Sequence, residues 1–208
     1  MKKLLFVFSL FFCVFSSIEA QEMKSLFVEA PDSVFPLLDK NQRADCVDFF
    51  DAGMQYGVTN KLEGKTTLVD LAPDYMLLET SGTLRMELKK LPLGDDFIIC
   101  VVNTVTAEAS DSRVAFFSSS WKRLDTSCFF AAPSIREFFT SQSAADEFLN
   151  LCEIYLVSLK LNSADTGMVA EYTMPSYMNK DDADRVLSHL RRIVFVWDGK
   201  SFVQSTES

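Results

Sequence analysis

The chain has one histidine, seven glycines and six prolines among 208 residues, and each scarcity removes a class of chemistry. Any Ser-His or Cys-His pair would have to use His189. That residue closes a helical pattern, where a basic side chain complements the helix dipole. So few glycines leave no phosphate-cradling loop and no Gly-x-Ser-x-Gly elbow, and His-Glu-x-x-His is absent. No catalytic residue is assigned on this basis, and the chain reads as leaning away from an enzyme. Cations are scarce too, with Lys and Arg numbering 20 against 29 Asp and Glu, a net charge of −9. Beyond the N-terminus the adjacent basic pairs are Lys89-Lys90, Lys122-Arg123 and Arg191-Arg192. Such a chain suits neither nucleic acid nor anionic membrane surfaces, since phosphate contacts need clustered cations. No Cys-x-x-Cys occurs, so no zinc, other metal or cofactor is expected.

What the chain does have begins with an address. Lys2 and Lys3 precede an apolar run, Leu4 to Ser17, and Ile18-Glu19-Ala20 offers a small residue for cleavage before Gln21. The run is too short to span a bilayer, which takes roughly 20 residues. It reads as a cleaved export signal over residues 1–20, sending the protein to the periplasm or outside the cell. Cys13 would suit a lipoprotein only if the residues before it were small, and Leu10-Phe11-Phe12 are not. Losing Lys2, Lys3 and Glu19 takes the net charge from −9 to −10. No later apolar run is long enough for a transmembrane helix. Cys46, Cys100, Cys128 and Cys152 remain in apolar settings and read as buried thiols, with disulfides in an oxidising compartment as the alternative.

Residues 21–208 suit one α+β domain. The stretch Asp96 to Trp121 organises it: apolar runs Phe97–Val102 and Val114–Phe117, joined through polar Glu108–Ser112, predict two central strands. Before them, Leu26–Val28 predicts an edge strand or packing anchor. Asn41 is expected to cap a helix ending at Gly53, with Ala44, Val47, Phe50 and Met54 inward and Asp45, Asp48 and Asp51 outward. Tyr75–Thr80 and Leu84–Lys89 flank the turn Ser81-Gly82-Thr83, and alternation along the second places Arg85, Glu87 and Lys89 on a wet face. An antiparallel meander results, with helices packed on the sheet. After Trp121, capping patterns at Ser134 and Ser143 start short helices. A hairpin, Ile154–Leu161 with Met168–Met174, follows. Asn179 caps a further helix whose acidic start, Asp181, Asp182 and Asp184, answers the helix dipole rather than calcium. Asp198-Gly199 turns a last hairpin. A faint echo of hairpin then tryptophan relates the halves 21–124 and 125–208.

Fourteen of the 19 phenylalanines lie beyond the signal, several as doublets. In a strand, Phe116 and Phe117 face opposite sides, so the sheet is either covered on both faces, helices being the expected cover, or presents aromatics to a partner. Candidate binding residues sit at strand ends and turns: Asp111, Arg113, Trp121, Tyr172, Tyr177 and Trp197. Asp32-Ser33-Val34 fits an Asp-Ser-apolar O-glycosylation pattern of exported Bacteroides-type proteins, at Ser33, as well as a helix cap.

The stretches Met23-Lys-Ser-Leu-Phe-Val-Glu-Ala-Pro-Asp-Ser, Ala44-Asp-Cys-Val-Asp-Phe, Ile99-Cys-Val-Val and Asp111-Ser-Arg, with Trp121, resemble an uncharacterised family of exported Bacteroidales proteins known as a domain of unknown function. The resemblance implies a cell-envelope location in a Gram-negative host and carries over no catalytic residues. The expectation is a non-enzymatic envelope module that binds a protein, a glycan or a small apolar ligand. The alternatives are a carboxylate-dependent glycan hydrolase and an apolar-ligand carrier.

Overall fold

The computed structural model describes residues 22–54, 56–152 and 154–205. The expected export signal and its cleavage after Ala20 lie outside them. The chain forms two compact units, Met1–Ser81 and Gly82–Ser208.

In the first unit, residues 22–29 form helix α1, where an edge strand was one expectation. The apolar triplet Leu26–Val28 is too short to set a period. The wider spacing of Met23, Phe27 and Ala30, all buried, makes a helical stripe. Helix α2, Lys40–Asp51, is capped by Asp39 and not by Asn41: the Asp39 side chain accepts from Gln42 N, and Gln42 Oε1 accepts from Asp39 N, each at 2.9 Å. This reciprocal pair satisfies two helix-end donors. The buried residues of α2 are Arg43, Cys46 and Val47, and Met54 is half exposed; the inward stripe is turned toward a buried cation that apolar periodicity does not count. Strands β1 (Val58–Thr59), β2 (Lys65–Ala72) and β3 (Tyr75–Thr80) follow as antiparallel neighbours.

The second unit opens with β4 (Leu84–Leu93), β5 (Asp96–Thr106), β6 (Ser110–Ser118) and β7 (Arg123–Leu124), each antiparallel to the next. The two central strands are those expected, β5 and β6. A four-stranded antiparallel sheet comes next, in the order β11-β10-β9-β8, from β8 (Val157–Leu161), β9 (Gly167–Tyr172), β10 (Ile193–Trp197) and β11 (Phe202–Gln204). Short 3-10 turns and helices α3 (Gln142–Phe148) and α4 (Lys180–Leu187) join these strands. The result is the expected α+β class with antiparallel sheets.

The face of β4 expected to be wet is dry. Glu87 and Lys89 are fully buried. Registers align Arg85 with Thr104 and Ser112, Glu87 with Val102 and Val114, and Lys89 with Cys100 and Phe116. On this face Ser112 Oγ accepts from Leu159 N at 2.8 Å, Lys89 Nζ donates to Ser163 O at 3.3 Å, and the Phe116 and Phe202 rings lie 6.3 Å apart. The cover is therefore the second sheet and not a helix. Alternation alone cannot foresee this, because it predicts a wet face only where nothing packs on it. Phe116 and Phe117 are both buried, as coverage of both faces requires. Cys46, Cys100 and Cys152 are buried free thiols, and Cys128 is free but exposed.

Candidate functional site

Two concavities adjoin in the second unit and share one residue, Arg191. The first, of about 330 Å³, runs from the end of β9 to the segment after α4 and is lined by Tyr172, Thr173, Pro175, Leu187 and Leu190 among others. The second, of about 380 Å³, is lined by Ser134, Arg136, Glu137, Thr140 and Gln142 among others.

The sequence builds the wall between them from both sides. Asn179 caps α4, its side chain accepting from Asp182 N at 3.0 Å. The helix ends at Leu187 and the chain then runs extended. Thr140 N donates to His189 O, and Arg191 N donates to Phe138 O, each at 2.8 Å. Phe139 and Leu190 form an antiparallel bridge. On the other strand, Ser134 begins a 3-10 turn through the expected capping box with Glu137, whose Oε1 accepts from Ser134 N at 2.7 Å. The Glu137 carboxylate is thereby turned to its own cap.

The three arginines differ in what holds them. Arg136 NH1 lies 2.5 Å from Asp146 Oδ1, and Arg192 Nε lies 2.5 Å from Glu171 Oε1. Arg191 Nε donates to Glu137 O at 3.0 Å; among the described residues its two terminal nitrogens have no hydrogen-bond partner. Apolar surface rims the groove: Leu187 is 53% exposed, and Tyr177, next to Ser176 of the first cleft's wall, is 50% exposed. Tyr155, 42% exposed, donates to Pro133 O at 2.8 Å, beside Ser134 of the second cleft.

The candidate residues fall in separate places. Tyr172 lines the first cleft and is buried, its hydroxyl donating to Ile154 O at 2.7 Å; burial pushes its phenol up from the ordinary value. Tyr177 lines neither cleft and follows Ser176 of the first in sequence. Asp111 Oδ1 accepts from Val157 N at 3.5 Å, and Val157 pairs with Tyr172 across β8 and β9, so Asp111 belongs to the same end of the sheet. Arg113 is exposed on β6. Trp197 is buried, with Nε1 donating to Pro92 O at 2.7 Å and its ring stacked 6.2 Å from Phe129. Trp121 lies beyond β6 with φ of 62°, its ring 5.7 Å from that of Phe117. Neither tryptophan lines the clefts. Ser33 is exposed, and its neighbour Asp32 holds buried Arg43 at 2.9 Å.

Sequence reasoning passed over Arg136, Arg191, Leu187 and Tyr155. The Arg191-Arg192 pair was visible, but its complement to the α4 dipole was explanation enough; that Arg191 borders a groove follows from a bridge to a segment fifty residues earlier. Among the described residues no group of three or more His, Cys, Asp or Glu could hold a metal ion, and no helix is long and apolar enough to cross a membrane. Glu87 is the sole fully buried carboxylate among them, and it sits 3.2 Å from the Arg85 guanidinium.

A family model described as "Protein of unknown function (DUF3256)" matches residues 15–202. No curated protein matches the chain. Among solved structures, a domain of an uncharacterized protein from Porphyromonas gingivalis W83 is similar at a TM-score of 0.76 and 23% identity, over 88% of this chain and 99% of that one. At that identity the likeness concerns the fold.

Proposed function

The chain belongs to the DUF3256 family of proteins of unknown function, and from that premise we propose that it is an exported cell-envelope protein acting as a non-enzymatic binding module, with the groove around Arg191 as its site. The observation that carries this reading is the company Arg191 keeps: two adjoining clefts, hydroxyl and guanidinium groups along them, and exposed Leu187 in the lining, with exposed Tyr177 next in sequence to Ser176. Concave surfaces mixing apolar walls with a few aimed polar groups are where small ligands and chain segments bind. Large apolar side chains left in water beside such a cleft cost solubility unless a partner covers them.

Buried chemistry elsewhere gives the two alternatives less support. The Glu87 carboxylate is balanced by Arg85, whereas glycoside hydrolysis uses two carboxyl groups facing a cleft. The phenylalanines pack on one another, as in Phe116–Phe129 at 5.1 Å and Phe130–Phe195 at 5.2 Å, and of them only Phe139 contributes to the lining of either cleft.

Two measurements test the proposal. Fractionation of the producing cell should recover a chain starting at Gln21 outside the cytoplasm; a full-length cytoplasmic chain would remove the export reading. Titration of isotope-labelled mature protein with envelope glycans, peptides and organic acids should move the resonances of Tyr177, Leu187 and Arg191 together. Shifts that cluster on another surface would move the site there.

A further inference from the structure

Resting on the reading of the groove as a binding site, we infer that its ligand is anchored by a carboxylate next to an aliphatic group, as at the C-terminus of a peptide ending in Leu or Val. Three observations converge on this. The Arg191 main chain is pinned by its N–H on Phe138 O, and its guanidinium is held from behind by Nε on Glu137 O. Its two terminal nitrogens, unbonded among the described residues, form the fork that matches two carboxylate oxygens. An arginine held in this way loses little side-chain freedom when it binds, so more of the contact appears as affinity.

Local charge favours an anion at this arginine over its neighbours. Asp146 holds Arg136 and Glu171 holds Arg192, and the Glu137 carboxylate is engaged by Ser134. Arg191 is left as the uncompensated cation on the wall shared by both clefts. Beside it, Pro175, Leu187 and Leu190 give the first cleft an apolar wall. That wall suits an aliphatic side chain. A volume of about 330 Å³ has room for a terminal residue or two and not for a long segment, the lower end of the usual range of ligand clefts.

The test uses the isotope-labelled mature protein with three probes: N-acetyl-Ala-Leu as the free acid, the same dipeptide as its C-terminal amide, and glucuronic acid. The free acid should shift Leu187, Leu190 and the Arg191 side chain in one saturable titration. The amide should bind roughly tenfold more weakly or worse. Arg191→Gln should weaken the acid to the level of the amide. Arg185→Gln, whose guanidinium pairs with Glu147 and Asp182, should leave the titration unchanged. Equal binding of acid and amide at these residues would overturn the carboxylate anchor and leave the groove standing. Preferential binding of glucuronic acid would replace the peptide by a sugar acid. Silence with all three probes would overturn the inference, and silence with the wider panel as well would overturn the groove beneath it.

Discussion

At the scale of single residues, Arg43 shows how much one buried cation can organise. Its Nε donates to Val28 O at 3.3 Å, NH1 to Asp32 Oδ1 at 2.9 Å and Leu38 O at 2.8 Å, and NH2 to Val28 O at 3.1 Å and Ala30 O at 2.6 Å. All five guanidinium N–H groups are used, and the carbonyls they satisfy come from the end of α1 and the segment between α1 and α2. Arg43→Met would leave those acceptors and Asp32 without their donor. We expect a loss on the order of 3–5 kcal/mol, measured by urea unfolding. Arg43→Lys should recover less than half of it, because an ammonium has three donors and no fork. The same contact makes a pH statement. The hydrogen bond from Arg43 holds the Asp32 carboxyl below its ordinary value, and the Ser201 and Lys200 amides do the same for Asp198. A depressed carboxyl contributes stability that is complete above its unfolded pKa, about 3.9, and that disappears as pH falls through the lower folded value. The unfolding midpoint should therefore drop below about pH 4. Asp198→Asn, which keeps the acceptor oxygen and removes the charge, should flatten that drop. An unchanged slope in the variant would remove Asp198 from the account.

Strands carry the next level. The outward amides of β8 at Val157 and Leu159 are received by Asp111 Oδ1 and Ser112 Oγ, and Thr173 Oγ1 ties the end of β9 to Ser110 O at 2.5 Å. An edge strand offering bare N–H groups invites pairing with another chain; here side chains of β6 occupy them. Glu108 to Arg113, the most distinctive polar stretch of the sequence, thus does seam work between the two sheets. Ser112→Val should cost about 1–2 kcal/mol and speed hydrogen exchange at the Leu159 amide specifically. Its strand positions were legible because β5 and β6 have long apolar runs with a polar break. Its partner was not, since β8 lies more than forty residues on and a side-chain-to-amide bond leaves no periodicity behind. The same limit applies to β4. Leu84, Met86 and Leu88 announce one dry face, but nothing in the alternation of Arg85, Glu87 and Lys89 announces a second. The Arg85–Glu87 pair and the bond from Lys89 to Ser163 O stand in for the solvent that a wet face would have had.

Across the whole molecule, stability and the proposed binding groove rest on different residues. The first is held by buried groups that satisfy one another: Arg43 with its carbonyls, Glu87 with Arg85, and the aromatic cluster around Phe116, Phe129, Phe202 and Trp197. The groove combines buried residues such as Tyr172 and Phe139 with Leu187, which is about half in water. The caps at Ser134 and Asn179 and the hairpin turns were readable because each is written within a few consecutive residues, whereas the caps of α2 and α3 fall two residues before the expected ones, at Asp39 and Ser141. The groove was not, because residues 138–140 and 189–191 meet only in three dimensions. Tyr172 and Tyr177 were singled out for their position near a strand end, and Tyr172 lines the groove while Tyr177 only follows Ser176 of its wall in sequence. This separation has a measurable consequence. Leu187→Glu should leave the unfolding free energy within about 0.5 kcal/mol of the parent, as exposed substitutions do, while Glu87→Ala should lower it by on the order of 3 kcal/mol, because Arg85 would be left without its carboxylate. Binding of the free-acid probe should respond in the opposite order. It should be lost in the first variant, where a carboxylate now faces the anion, and kept in the second wherever that variant remains folded. If Leu187→Glu binds as the parent does, the apolar wall of the first cleft is not part of the site.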